Sequence, residues 1–229
     1  MLIVFEVIFE TNYIDLICLQ ITMNHSTRIE TIMKIYLASK SPRRRELLTQ
    51  MGVVFDLLLV YTPEIIAPDE TAERYSMRVT KEKLDAAKAK ILQDQATVLP
   101  VLCADTEVVL DGQILGKPQS SDAAFKMLKS YSGRSHEVIT SVGITYFDYQ
   151  KIVMHKTTVT FADMSDADIN HYLTTDNYKD KSGGYGIQSY IGQFISRIDG
   201  CFYSVMGLPL NTVREMLNDL SAYSTRKKA

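Results

Sequence analysis

Three consecutive arginines, Arg43, Arg44 and Arg45, follow Ser41-Pro42 directly after a short apolar run. Ser41 has the character of an N-cap and Pro42 of the first helical residue, since proline has no N–H to lose there and its fixed φ suits the helix. The arginines therefore fall in the first turn. That end carries unpaired N–H groups and the positive pole of the helix, so each cation there costs about 0.3 to 1 kcal/mol unless an anion faces it. A phosphate removes the conflict, because helix N-termini bind phosphate and arginine adds paired hydrogen bonds to its oxygens. Alone, the cluster reads equally well as a solvated basic helix start. Lys83 is a second displaced cation: it lies on an apolar stripe with Val79 and Ala86, where an ammonium must either snorkel or meet an anion. Glu64 in an acidic, proline-containing loop, Asp105 after an apolar run, Lys117 before Pro118, and Gly183, Gly184 and Gly186 in one loop complete the polar set. Hydrolysis of a phosphoanhydride needs cations for the phosphates, carboxylates to hold a divalent ion and activate water, and close backbone approach to the ligand. These residues offer all three.

The elements that must position them can be read from periodicity. Residues 35–38 form a short strand, and the helix from Pro42 runs to about Gln50 and stops at Gly52. Residues 53–60 are β-rich, and residues 71–91 carry apolar positions at helical spacing. Residues 98–104 are an apolar run expected as a central strand that ends at Asp105-Thr106-Glu107, which places Asp105 at a strand's carboxyl end, where active groups of open α/β sheets gather. A hairpin turns at Asp111-Gly112, a helix spans residues 121–129, and two long strands follow at 136–147 and 151–161. Ser165 opens a helix through Leu173 with capping-box spacing to Asp168. A strand at 194–199 and a helix ending near Leu220 close the domain. The order points to an α/β protein with a mixed central β-sheet and flanking helices.

Composition narrows the partners. A chain of 229 residues with 46% hydrophobic content can bury one core, and a net charge of -2 gives no global field for a polyanion. Nucleic acid is therefore not expected as a partner. Cys18, Cys103 and Cys201 are widely spaced and read as free thiols in a reducing compartment, hence a cytoplasmic location. His25, His136, His155 and His171 lack metal-ligand spacing, and His136 reads as structural. Residues 1–33 are read as an extension, with Met33 a second candidate start. Their apolar part is interrupted by Glu6, Glu10 and Asp15, unlike a signal or a membrane span. The domain is placed at residues 34–222 and a basic tail at 223–229. There is no GxxxxGK[ST], so a P-loop is excluded.

Six ordered stretches carry a resemblance: Ser39-Lys40-Ser41-Pro42-Arg43-Arg44-Arg45-Glu46-Leu47-Leu48, Ala104-Asp105-Thr106, Leu115-Gly116-Lys117-Pro118, Ser132-Gly133-Arg134-Ser135-His136-Glu137-Val138-Ile139-Thr140, residues 180–188, and Val205-Met206-Gly207-Leu208-Pro209-Leu210. In order and spacing they resemble the successive motifs of the Maf family of nucleoside triphosphate pyrophosphatases, from about Lys34 to Leu220. The resemblance implies an elongated, two-lobed α/β domain with a deep nucleotide-binding cleft, related to the inosine triphosphatase type. It also implies metal-dependent cleavage of a nucleoside triphosphate to the monophosphate and pyrophosphate. Asp105 matches the proton acceptor. Ser39, Arg43, Arg44, Lys83, Lys117 and Gln188 match substrate- or phosphate-binding positions. Arg43, Thr106 and Gln188 match those that mark the subgroup acting on dTTP and UTP rather than 7-methyl-GTP.

Glu64 and Asp105 are the expected ligands of a divalent cation, Mg²⁺ or Mn²⁺. A homodimer is left open. Two departures stand out: Ser182-Gly183-Gly184 replaces the usual Ala-Gly-Ala, and Glu107 occupies a position usually apolar in the family. Glu107 could bind metal but is read as an outward-facing strand residue. Two alternatives are a nucleotide-binding regulator of cell division without turnover, in line with the family's link to septum formation, and a polynucleotide-binding protein using the arginine cluster.

Overall fold

The computed structural model describes residues 33–228. The chain divides into two units, Met1–Ile32 and Met33–Ala229, and the expected extension lies outside the described residues except for Met33, which packs partly buried against the core. The centre of the domain is a ten-residue strand, β3 (Val101–Leu110), buried along its length except at Thr106, which is half-buried. It differs from the expected strand in one respect that matters: Asp105-Thr106-Glu107 does not end it. A neighbouring strand, β5 (Ser135–Tyr146), pairs with it antiparallel from Val101↔Thr145 through Asp105↔Ser141 to Val109↔Glu137. Ladder bonds use only the backbone, so polar side chains do not break a strand when partners await them on either face.

The remaining strands are β1 (Ile35–Leu37), β2 (Phe55–Leu57), β4 (Gln113–Leu115), β6 (Tyr149–Phe161) and β7 (Ile195–Asp199), in the order β2-β1-β3-β5-β6-β7 with β4 also on β3. β1 is parallel to both β2 and β3, and the other pairs are antiparallel, which makes the sheet mixed as expected. Two strands share one edge of β3. β1 covers it at Val101 and Leu102, and β4 covers it from Val108 to Leu110, held back in a tight hairpin by Asp111 and Gly112, both at positive φ. Between them, at residues 103–107, none of the described strands pairs with that edge. The sheet is notched there.

Helices close both faces. On one side α1 (Pro42–Gln50) and α6 (Leu210–Lys228) bury Leu47, Leu48, Val213 and Met216 against Leu37, Leu102 and Ala104. On the other, α2 (Ala72–Gln93), capped by Thr71, lays Leu84, Ala87 and Ile91 on Val101 and Cys103. α3 (Ser121–Tyr131) and α4 (Asp166–Thr174), the latter with its capping box formed, pack Leu128, Tyr131, Ile169 and Tyr172 around Val138, Val159 and Phe161. A short helix, α5 (Phe202–Met206), precedes α6. The last helix runs past its expected end near Leu220, and Tyr223 packs against the core with its ring centroid 5.2 Å from that of Tyr149.

Candidate active site

A cavity of about 1170 Å³ opens at the notch. Ser39, Arg43, Arg44, Glu64, Lys83, Asp105, Thr106, Lys117 and Gln188 all line it. Residues far apart in sequence therefore meet, and each arrives on an identifiable element. The arginines come from the first turn of α1, Lys83 from α2, the acids from β3, and Lys117 from the turn after β4.

The floor is acidic. Asp105 and Glu107 alternate with Thr106 on β3 and so share one face, that of α2. Lys83 rises from α2 to meet them: its Nζ lies 2.6 Å from Asp105 Oδ1 and 2.7 Å from Glu64 Oε1. The displaced lysine thus meets an anion rather than snorkelling. Burial works to lower its pKa most, yet the charge of Asp105 and hydrogen bonds to Asp105 and Glu64 outweigh it, and the ammonium is held above its usual value. Oδ2 of Asp105 is buried without a hydrogen-bond partner.

Glu107 corrects the sequence reading. It does not face outward: it is only 7% exposed, lines the cavity, and stands within hydrogen-bonding reach of Asp105. Burial, with Asp105 next to it, pushes its carboxyl up to about 9. The signal for it in the sequence is the two-residue spacing from Asp105, which on a continuous strand puts both acids on one face.

The opposite wall is cationic, and its two arginines do different work. Arg44 donates from Nε to the Gly207 carbonyl at 2.8 Å, from Nη1 to Ser39 Oγ at 3.3 Å and from Nη2 to Thr106 Oγ1 at 3.0 Å. It is a pin that ties α1, β3 and the loop before α6 together. Ser39 Oγ also accepts the Ser41 N–H at 3.2 Å, while Ser41 takes the N-cap position without a capping bond of its own. Arg43 is different: its Nε is buried with no partner. Burial and then the neighbouring Arg44 hold its pKa down, and Lys181, which sequence reasoning did not single out, is lowered by burial and then by Arg43. Lys181 lines the cavity too. Cations whose charges depress one another in a cavity wall favour an anionic ligand between them.

Thr106 is less free than a base-reading hydroxyl would be. Thr140 Oγ1 lies 3.0 Å from Thr106 Oγ1 and 2.7 Å from the Ser204 carbonyl, which can only accept. Thr140 shares its proton between the two, and Thr106 Oγ1 accepts from both Thr140 and Arg44. Gln188 is exposed at the cavity. The glycine loop beneath it is fixed through Gly183, at φ +70, whose N–H donates to the Gly116 carbonyl at 3.0 Å and whose carbonyl accepts from the Tyr131 hydroxyl at 3.1 Å. His136 is structural as expected, buried among Tyr131, Phe161 and Tyr185 with Nε2 2.7 Å from the Tyr185 hydroxyl.

Among the described residues, no three His, Cys, Asp or Glu side chains converge to cage a metal unaided, and no helix is long and apolar enough to cross a membrane. The fold and cleft define a mixed α/β domain that sets unpaired cations against buried carboxylates across a break in its sheet. Residues 34–220 match the model of the family described as Maf-like protein. Curated relatives agree. A dTTP/UTP pyrophosphatase of Escherichia coli O6:K15:H31 is 40% identical over 193 residues, covering 84% of this chain and 96% of that protein. A dTTP/UTP pyrophosphatase of Photobacterium profundum is 44% identical over 180 residues, 78% of this chain and 92% of that protein. A nucleoside triphosphate pyrophosphatase of Shigella flexneri is 39% identical over 193 residues, with 84% and 96% covered. The chain belongs to the Maf family.

Proposed function

We propose that the protein is a nucleoside triphosphate pyrophosphatase that hydrolyses dTTP and UTP to the monophosphate and pyrophosphate. The observation that carries this reading is Asp105: one oxygen is locked to Lys83, the other is uncommitted, and both lie in a cleft whose far wall holds Arg43 and Lys181. A carboxylate so fixed can take a proton from water aimed at the α-phosphorus. Arg43, Lys117 and Lys181 then balance charge on the departing pyrophosphate, and Arg44 holds the wall in place. The uncommitted oxygen also favours turnover over binding alone.

A divalent cation fits this donor set. Carboxylate oxygens suit Mg²⁺ or Mn²⁺, and Mg²⁺ is usually held by one or two carboxylates together with substrate phosphates, so a three-residue cage is not required. Asp105 would supply a carboxylate ligand for it, and when bound it would screen the phosphates and acidify water. The preference for pyrimidines is supported by the names of the relatives and by chemistry at the marking positions. The Gln188 amide can both donate to and accept from a uracil or thymine edge, whereas a cationic 7-methylguanine ring would favour a carboxylate and an aromatic face. A cytoplasmic location fits free Cys103 and Cys201.

The test is pyrophosphate release from UTP, dTTP and 7-methyl-GTP in competition, with Mg²⁺ or Mn²⁺. UTP and dTTP should be consumed first, and Asp105→Asn should cut turnover by roughly 10² or more while the fold survives. Preferential consumption of the methylated purine overturns the base preference. Near-normal release by folded Asp105→Asn overturns the mechanism.

A further inference from the structure

The expected cation ligands, Glu64 and Asp105, are already bridged in this structure. Lys83 Nζ lies 2.7 Å from one and 2.6 Å from the other. A divalent cation placed between those same oxygens would have to displace the ammonium or sit against it, and like charges at such distances repel strongly in a partly buried site. The free valence of Asp105 is on its other oxygen. Oδ2 is buried and meets no nitrogen or hydroxyl donor among the described residues. On that face of the strand its polar neighbour is the carboxyl of Glu107, two residues on and also lining the cavity.

Glu107 therefore needs an explanation. A buried carboxyl with no cationic side chain paired to it among the described residues is costly unless something compensates it when a ligand is present. It lies two residues from Asp105 on the same strand and face, 7% exposed, and it reaches the cavity. Two carboxylates side by side, one with an orphaned buried oxygen, present the hard oxygen donors that Mg²⁺ and Mn²⁺ take from protein before completing their shell with phosphate and water.

We propose that Glu107 is a cation ligand: the divalent ion seats between the Glu107 carboxylate and Oδ2 of Asp105, while Glu64 serves to hold Lys83 against Oδ1. This rests on the reading of the cleft as a metal-assisted pyrophosphatase site. It also gives Glu107, which departs from the apolar residue usual in the family, a role in this chain.

The experiment is a titration of Mn²⁺ into the nucleotide-free, full-length protein, followed by the electron paramagnetic resonance amplitude of free Mn²⁺. Melting temperatures confirm folding. Glu107→Gln should weaken Mn²⁺ binding about tenfold or more. Glu64→Gln should weaken it less than about threefold, as expected for a half-exposed partner of Lys83. Glu107→Asp keeps the charge but withdraws it by one methylene, and should fall between wild type and Glu107→Gln; it also serves if the glutamine variant does not fold. Wild-type affinity in Glu107→Gln, or in Glu107→Asp where that is the variant read, overturns the seat, as does a larger loss in Glu64→Gln. Pyrophosphate release separates this from the parent reading. A wild type that cleaves UTP but whose Mn²⁺ affinity ignores Glu107 refutes the seat alone. Glu107-dependent Mn²⁺ binding in a protein inactive on every nucleotide refutes the activity alone.

Discussion

Lys83→Met isolates the interaction on which the floor of the cleft depends. Its two ion pairs have similar lengths but different surroundings: the side chain of Lys83 is 13% exposed, that of Asp105 7% and that of Glu64 46%. Removing the ammonium leaves Asp105 as a buried charge with its Oδ1 unpaired and its Oδ2 already orphaned. Breaking a buried pair from one side typically costs about 3 to 5 kcal/mol. Screening at Glu64 limits its share to less than about 1 kcal/mol. Glu64→Gln should therefore be mild and Lys83→Met severe. For a domain of this size each kcal/mol shifts the melting temperature by roughly 2 to 4 °C, so about 3 kcal/mol in Lys83→Met corresponds to a fall of roughly 6 to 12 °C. Urea unfolding at pH 7 without metal or nucleotide measures both variants directly. Lys83→Met within about 1 kcal/mol of wild type, or Glu64→Gln as damaging as Lys83→Met, would show that Asp105 does not depend on the ammonium as the geometry requires.

Two further perturbations test the scaffold around the site. Burial holds His136 neutral, pushed down to about 4 from 6.5; the unfolded state therefore binds more protons between those values, and stability is full above pH 6.5 and falls as pH drops towards 4. The loss is about 3 kcal/mol, and the urea midpoint of His136→Phe should depend less steeply on pH over that window; an unchanged slope refutes the assignment. Gly183→Ala places a Cβ 2.7 Å from Val108 Cγ2 at φ +70, whereas Gly52, at φ +71, has nothing within 4 Å. Gly183→Ala should cost about 1 to 3 kcal/mol more than Gly52→Ala and raise KM for UTP; equal melting temperatures for the two variants would remove the close approach from the argument.

Much of this site is legible in the sequence because it is built from local signals. Pro42 at the first helical position and Gly52 beyond the last fix α1, and with it the arginines. The capping box at Ser165 and the hairpin at Asp111-Gly112 form where their residue types require them. What is hidden depends on partners distant in the chain. Three polar residues in a row look like the end of a strand until β5 is known to run beside them, and only then does the two-residue period turn Glu107 inward. Adjacent arginines are equivalent in sequence; Gly207, 163 residues away, is what commits Arg44 and leaves Arg43 free. Lys181 gains meaning only when the loop carrying it folds back towards α1.

The notch in the sheet accounts for how opposite charges coexist in one cleft without neutralising each other. Along β3 the side chains alternate, so Asp105 and Glu107 point towards α2 while Thr106 points towards Arg44 and α1. The strand itself keeps the acids on one side and the cationic wall on the other. A complete sheet would bury both faces under separate helices, with no ligand able to touch the two. Because β1 leaves the edge after Leu102 and β4 joins it only at Val108, no described strand pairs with that edge at residues 103–107, and the cavity opens there. A ligand lying along that edge meets carboxylates on one flank and arginine on the other. Lys83 is a cation placed on the acidic flank, and its ion pairs keep it there. The arrangement suits a molecule whose phosphates need cations and whose scissile bond needs a base, with the two demands separated by the thickness of a single strand.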